Sequence, residues 1–297
     1  MLRLPFQLYR NFGANGYIGS NFIKKASKLN FKIYALTRKR VNKNIKNVKW
    51  LTGAIDKNWK ELKKSDVLVH LAAEGGYARF TRFSKCYDFN VLKSKKLVNN
   101  AIKSGCKKIL IISSKKEKKI KSVRINKRLI KLYEKKPDYV YALSKAIFTK
   151  FCVNFSKKNN KKFRIIRLFH VYGKNEKKTR LWPALISAAK KNRDFKMTSG
   201  GQKTDFNYID DVVNGLIEAT NFEIKNKKFP QVWDMCSGKT TSVKLFAQKI
   251  WDRINPKSKI YFSKIKVFDN KNYKALTQNH WKINYTKPEL TINYKRF

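Results

Sequence analysis

The amino-acid sequence predicts an α/β protein built on a doubly wound parallel sheet, with any second domain drawn from the later part of the chain. Three observations carry this. Short apolar runs alternate with helix-spaced amphipathic stretches through the first half. Three glycines, Gly13, Gly16 and Gly19, stand at the mouth of the first amphipathic stretch. No internal repeat or low-complexity linker interrupts the 297 residues, a length that buries a substantial core as one large or two modest domains.

Taken in order, the elements differ in clarity. Gln7 to Phe12 is the least regular, because Arg10 and Asn11 fall where a central strand is expected to be apolar. Ile18 to Leu29 carries helix-spaced apolar residues with Lys on its other face, and Val91 to Ser104 does the same. Phe31 to Leu36, Asp66 to Leu71, Lys108 to Ile112 and Phe163 to Leu168 read as strands, the last following a helix over Tyr141 to Asn159. Beyond it the pattern loosens. Lys174 to Gly201 reads as polar and irregular, and Asp210 to Thr220 as a helix opened by an Asp cap. The remainder reads as short elements without clear alternation.

Seventy Lys and Arg against nineteen Asp and Glu give a net charge of +51. Such a balance ordinarily points to nucleic acid. Here the basic residues are mostly Lys spread from end to end, and the densest stretch, Lys115 to Lys136, lies inside the pattern of a folded domain. The charge therefore implies nonspecific, salt-sensitive adhesion to polyanions, not a reader of sequence. No apolar run reaches the length of about eighteen residues that a membrane span needs, and Met1 to Phe12 lacks the apolar stretch of a signal peptide. Cys86, Cys106, Cys152 and Cys236 are far apart, with no nearby His. They read as reduced thiols of a cytoplasmic protein, with no metal site.

Gly13-Ala-Asn15-Gly16-Tyr17-Ile18-Gly19 carries the first chemistry. Glycines at this spacing let the chain turn tightly, approach a pyrophosphate and pack a helix against a strand, while the helix N-terminus presents free N–H groups. The loop's residues 13, 15 to 17, 18 and 19 are thus candidates for binding a dinucleotide. At the end of the second strand, Ala35-Leu36-Thr37-Arg38 lacks the acidic residue that accepts from an NAD ribose. Arg38 is placed to meet the 2′-phosphate of NADP, which favours NADP slightly over NAD; a solvated Arg is the alternative.

Tyr141-Ala-Leu-Ser-Lys145 carries the second. Residues four apart share a helix face, so phenol and ammonium can converge on one site. A phenol with pKa near 10 is a poor acid or base at neutral pH, and a neighbouring cation lowers that value. Tyr141 then exchanges a hydroxyl proton while hydride moves to or from a nicotinamide. Ser113 and Ser114 end the preceding strand. Ser114 is the chosen candidate to hold the substrate oxygen, and Ser113 the alternative.

Together these residues resemble the extended short-chain dehydrogenase/reductase superfamily, the NAD-dependent epimerase/dehydratase family in particular. GANGYIG is similar to its GxxGxxG, and DVLVHLAA, Asp66 to Ala73, to the strand whose end (Leu71, Ala72, Ala73) lies along the cofactor. Asn90 in DFNV looks like the family's structural asparagine, which joins Ser114, Tyr141 and Lys145 as the catalytic set. RLFHVYG (167–173), GGQKTDFNYIDDVV (200–213) and WDMCSGKTTSV (233–243) resemble three later family blocks. The resemblance implies a Rossmann domain over 1–168, with 204–222 packing back onto it. It also implies a smaller C-terminal α/β domain over 169–203 and 223–297 that binds a nucleotide-sugar through His170, Gln202 and Tyr208. Lys145 is implied as a cofactor ligand as well, and a homodimer is implied.

Departures from the pattern narrow the activity. His170 stands where family members usually carry Asn, which is similar to reductases or epimerases acting on CDP-linked deoxysugars. Thr204 replaces a common Arg, Ala54 a common Asp, and KKEKKIKS after Ser114 replaces the usual VYG. No final amphipathic helix is evident in Tyr285 to Phe297. With no acid at position 114, a 4,6-dehydratase is disfavoured, since eliminating water calls for a general acid beside the tyrosine. The expected activity is epimerisation of a nucleotide-sugar, or reduction of a nucleotide-linked 4-keto-6-deoxysugar. The alternatives are a non-catalytic Rossmann scaffold and a basic nucleic-acid-binding protein.

Overall fold

The computed structural model describes residues 8–29, 31–76, 82–120, 130–131, 137–222, 229–263 and 280–282. The expectation for Tyr285 to Phe297 lies outside them. The chain divides into two compact units, Met1–Leu168 with Leu216–Trp233, and Phe169–Gly215 with Asp234–Phe297.

The first unit runs β1 (Leu8–Phe12), α1 (Tyr17–Ala26), β2 (Lys32–Thr37), β3 (Val48–Thr52), β4 (Val67–His70), α2 (Phe83–Tyr87), α3 (Ser94–Lys103), β5 (Lys108–Ser114), α4 (Pro137–Asn159) and β6 (Lys162–Leu168). The elements that follow are β7 (His170–Tyr172), α5 (Leu181–Lys190), β8 (Phe195–Met197), β9 (Lys203–Thr204), β10 (Phe206–Tyr208), α6 (Ile209–Ala219), β11 (Gln231–Cys236), β12 (Thr241–Ser242), α7 (Val243–Ile254), β13 (Ile260–Phe262) and β14 (His280–Lys282).

The main sheet has the order β14-β11-β6-β5-β4-β1-β2-β3. From β3 to β6 every pairing is parallel. The chain winds outward in both directions from β1, which makes the gap between β1 and β4 the point where strand order reverses. Val67 to Val69, Ile109 to Ile111, Phe163, Ile165 and Ile166 are buried. Helices cover both faces of such a sheet, so its strands read as unbroken apolar runs. Each of these side chains contributes roughly 1.5–3 kcal/mol by leaving water.

The irregular start resolves differently from its side-chain pattern. Leu8 to Phe12 pairs in parallel register with β2 on one side and β4 on the other. Backbone hydrogen bonding to two neighbours does not depend on which side chains the strand carries, and that overrides the pattern.

The long helical stretch before β5 is interrupted by a π-helical turn over Asp88–Lys93. The Ser94 hydroxyl donates to the Phe89 carbonyl, five residues back, at 3.0 Å, and lies 2.9 Å from His70 Nε2. A wide turn of this kind recurs at functional sites. On β6, Arg164 is fully buried. Its Nε donates to Gln231 Oε1 at 2.8 Å, and Nη1 to the carbonyls of Ala219 at 2.6 Å and Asn221 at 2.8 Å. The rings of Phe222 and Trp233 each lie 4.6 Å from its guanidinium carbon. A buried charge persists only with such pairing, and this one ties β6 to the returning segment.

Within the second unit, β7 pairs with β10, β9 with β12 and β8 with β13. Its core is aromatic: Phe206 stacks on Phe246 at 3.8 Å, and Tyr172 meets Trp182, Phe206, Tyr208 and Phe246. Buried Asp205 accepts from Asn207 Nδ2 and from the Ser237 N–H and hydroxyl. Lys174 to Gly201 is not irregular throughout, since it holds α5 and β8. Pro183 hides α5 from a pattern reading, yet it stands in the first turn, where no N–H has an intrahelical acceptor to lose.

Among the described residues no helix is long and apolar enough to cross a membrane. The four cysteines are free and buried.

Candidate active site

Parallel strands in register bring the carboxyl ends of β1, β2, β4 and β5 to one edge of the sheet. Gly13, Arg38, Leu71 to Ala73, and Ser114 stand at these ends. This is the edge where an open α/β sheet holds its ligands.

The glycine loop is built by contacts that exclude side chains. Gly13 has φ +96°, and a Cβ there would lie 2.6 Å from the Ala72 nitrogen. The post-β4 segment is thereby pressed against the loop. A Cβ on Gly19 would lie 2.2 Å from the Gly13 oxygen. Gly16 differs: its Cβ would meet only the Gly13 oxygen, at 3.2 Å. Gly16 caps α1 with no side-chain hydrogen bond, and the first turn contains no acid. Asn15 is exposed and accepts from Lys43 at 3.4 Å, while Tyr17 and Ile18 begin the helix half-buried. The cradle leaves a bare helix N-terminus for an anion and fits the pyrophosphate of a dinucleotide.

Arg38 is 72% exposed, with its guanidinium 3.7 Å from the Glu74 carboxylate and 5.9 Å from the centre of the Phe89 ring. Glu74 also pairs with Lys85 at 3.5 Å. Arg38 therefore remains at the surface, within reach of an anion that competes with Glu74.

Tyr141 and Lys145 occupy one face of α4, and Thr149 continues that line a turn later. The Tyr141 ring is half-buried beside the Gly76 backbone and lies 5.9 Å from Lys116 Nζ. Lys145 is buried, and its Nζ donates to the Ile112 carbonyl at 2.7 Å. Burial pushes its pKa down to about 8, opposed by the negative charge of Glu117. Ser113 is buried and donates to Glu117 Oε2 at 2.7 Å. Ser114 is half-buried, its Oγ accepting from the Lys116 N–H at 3.3 Å. Of the two serines, Ser114 is the one with surface to offer a substrate.

Asn90 is buried with its amide fully engaged. Oδ1 accepts from the Glu74 N–H at 2.8 Å, and Nδ2 donates to the Glu74 carbonyl and the Ser144 hydroxyl, each at 2.9 Å. It ties the post-β4 loop to the helix carrying Tyr141, three residues before Ser144.

In the second unit, His170 on β7 packs its ring edge-on to Phe206, 4.9 Å between centroids. Tyr208 is buried against Tyr172 and Gly173, and burial pushes its phenol up to about 12. The Gln202 side-chain oxygen is enclosed, with no hydrogen-bond partner among the described residues.

Sequence patterning missed Glu117, Thr149 and His70. Glu117 stands among lysines in a short 3₁₀ turn, Lys115–Lys119, yet is buried. The one available signal was a lone acid within a basic run just beyond the site serines.

Fold and site together define an extended short-chain dehydrogenase/reductase. The chain belongs to the NAD dependent epimerase/dehydratase family, whose model matches residues 12–229. It is 26% identical over 297 aligned residues to the CDP-abequose synthase of Salmonella typhimurium, covering 92% of each chain. It is 27% identical to the CDP-abequose synthase of Salmonella muenchen, again over 92% of both. Among solved structures, the fold is similar to the UDP-N-acetylglucosamine 4-epimerase of Methanobrevibacter ruminantium M1, with TM-score 0.74, 18% identity and 96% and 93% of the two chains covered. It is also similar to MoeE5 in complex with UDP-glucose and NAD, with TM-score 0.71, 18% identity and 89% and 87% covered.

Proposed function

We propose that the protein is an NAD(P)-dependent oxidoreductase or epimerase of a nucleotide-linked sugar, working through Tyr141 and Lys145. The observation that carries this reading is the buried Lys145 ammonium, anchored on the Ile112 carbonyl one helical turn from the half-exposed Tyr141 phenol. The two curated relatives are named for a CDP-linked sugar, which together with His170 favours a CDP-linked 4-keto-6-deoxysugar or its epimer as substrate.

The backbone N–H groups of Asn15, Tyr17 and Ile18 would hold the dinucleotide pyrophosphate, with Leu71 to Ala73 along its flank, while the Gly16 N–H closes the loop on the Gly13 carbonyl at 3.0 Å. When bound, the nicotinamide supplies or accepts hydride at the sugar carbon. Tyr141 passes a proton to or from the sugar oxygen, and Ser114 holds that oxygen. Lys145 is the positive charge that stabilises the Tyr141 phenolate and also contacts the cofactor. Asn90 holds the loop and helix in register. His170, Gln202 and Tyr208 belong to the sugar side, with the Gln202 side-chain oxygen, unpartnered among the described residues, as an acceptor. Arg38 is the residue that meets a 2′-phosphate, which is why NADP is favoured over NAD. The reading includes a homodimer working in the cytoplasm, where the four thiols stay reduced.

The test is a fluorescence titration with NADPH and NADH in about 0.3 M salt, which screens the protein's charge. Saturable binding lost in Gly16→Val and kept in Tyr141→Phe is the expected result. Turnover of CDP-linked keto sugars should then vanish in Tyr141→Phe. A folded protein that binds neither cofactor overturns the proposal.

A further inference from the structure

Deep beside the Tyr141–Lys145 pair lies a carboxylate that the reaction as described does not use. Glu117 Oε2 accepts from two hydroxyls, Ser113 at 2.7 Å and Thr149 at 2.8 Å, and Thr149 also reaches Ser113 Oγ at 3.3 Å. Glu117 Oε1 faces Arg167 Nε at 3.6 Å. The Glu117 side chain is 5% exposed. Among the described residues, the groups that meet its oxygens are two hydroxyl donors and a cation, a set that suits the ionised form.

The cluster is locked to the lysine through the chain itself. Ser113 follows Ile112, whose carbonyl takes the Lys145 proton donor. Thr149 stands one helical turn beyond Lys145 on the same face of α4. Two neighbouring residues of β5 and two neighbouring turns of α4 thus hold a carboxylate and an ammonium in one water-poor space.

We propose that Glu117 is a positioning residue for the Tyr141–Lys145 pair: a buried counter-charge that keeps Lys145 protonated and so sets the alkaline limit of the site. This rests on the function proposed above.

The groups around Lys145 leave that task to Glu117. From α4 itself, the Cys152 thiol is pushed up by burial and stays neutral. From β4, burial pushes His70 down to about 3, so it stays uncharged. From β6, Arg167 adds positive charge beside Glu117, which favours the ionised carboxylate against burial. Tyr141 shares the helix face, and Lys116, the cation next to it, is already paired with Asp138 at 2.7 Å. Burial raises the Glu117 carboxyl, opposed by Ser113, Arg167, Thr149 and Lys145. Removing the Glu117 charge takes away the largest influence that opposes burial at Lys145, and its ammonium then gives up its proton at lower pH.

Glu117→Gln keeps the size and an oxygen that accepts from Ser113 and Thr149, so it deletes charge more than shape. Urea unfolding of the cofactor-free protein between pH 7 and pH 10 reads the effect without turnover. Glu117→Gln should unfold at lower urea than wild type at pH 7, with the gap closing as pH rises and Lys145 loses its charge. In a Lys145→Met background the gap should no longer vary with pH. NADPH titration of Tyr141→Phe with and without Glu117→Gln should show the alkaline fall in affinity moving down by about 1 pH unit. A gap that is constant with pH, or indifferent to Lys145→Met, overturns the proposal and assigns Glu117 a purely structural part. Failure of the wild type to bind any cofactor overturns the enzymatic reading instead, and the unfolding experiment still judges the pairing of Glu117 with Lys145.

Discussion

Asn90 and Glu74 meet through both edges of one amide, which accepts from the Glu74 N–H at 2.8 Å and donates to its carbonyl at 2.9 Å. The pair closes the loop after β4 as two strands would close, and the second Nδ2 proton reaches Ser144 on α4. One side chain therefore ties this loop to the helix that carries Tyr141 and Lys145.

Asn90→Ala should cost about 1–3 kcal/mol in urea denaturation, because the Glu74 backbone is left unmet in a buried place. Turnover should fall further than stability explains, with the cofactor Kd changing little. A variant of wild-type turnover would remove Asn90 from the positioning set.

The glycines should separate by function. Gly13→Ala and Gly19→Ala drive a Cβ into backbone atoms and should destabilise the fold by about 1–3 kcal/mol. Gly16→Ala meets only the Gly13 oxygen at 3.2 Å and should spare stability while weakening cofactor binding. Thermal unfolding beside a fluorescence titration distinguishes the two effects.

His70 makes the fold sensitive to acid. Its folded pKa is about 3 against an ordinary 6.5, with burial the main cause and Lys145 the second. The unfolded chain takes up a proton below pH 6.5 that the folded chain refuses until pH 3, so stability falls as pH drops through that window. The loss from this group should be about 2 kcal/mol at pH 5 relative to pH 8. Urea curves at the two pH values should show that difference shrinking in His70→Gln; an undiminished difference would place the acid sensitivity elsewhere.

Lys145 works in the same sense at alkaline pH. A folded pKa of about 8 against 10.5 means that the unfolded chain holds the proton more tightly, so burying the ammonium costs stability at and below pH 8. Lys145→Met should be without activity, and wild type should gain stability relative to it between pH 8 and pH 10.5 as the cost of burying the ammonium is relieved. Calorimetry at pH 7 and pH 10 measures the gain.

Much of this architecture was legible from spacing. β2, β4, β5 and β6 were mostly apolar runs, β3 carried too little of that signal to be expected, and the glycines and the Tyr141–Lys145 pair lay at separations with a direct geometric meaning. What was not legible depended on contacts between distant segments. Leu8 to Phe12 is a central strand because β2 and β4 pair with its backbone, which its side chains do not announce. In α5, Pro183 breaks a pattern but not a first turn. The Ser242 hydroxyl caps α7 by accepting from the Leu245 N–H at 3.1 Å, and Asn255 ends it at φ +50°, yet the basic surroundings hid both signals. Glu117 reads as one charge in a solvated run; only the meeting of β5, α4 and β6 turns it into a buried anion.

The Arg164 guanidinium has a consequence for the order of synthesis. Its partners at Ala219, Asn221 and Gln231 lie 55, 57 and 67 residues further along the chain. A ribosome that has released everything through β6 has delivered six strands and one unmet cation, whose burial would be strongly unfavourable. The nascent first unit is therefore expected to stay open until the segment carrying those three acceptors has emerged, and the intervening residues begin the second unit while it waits. The two halves mature as interleaved events rather than one after the other.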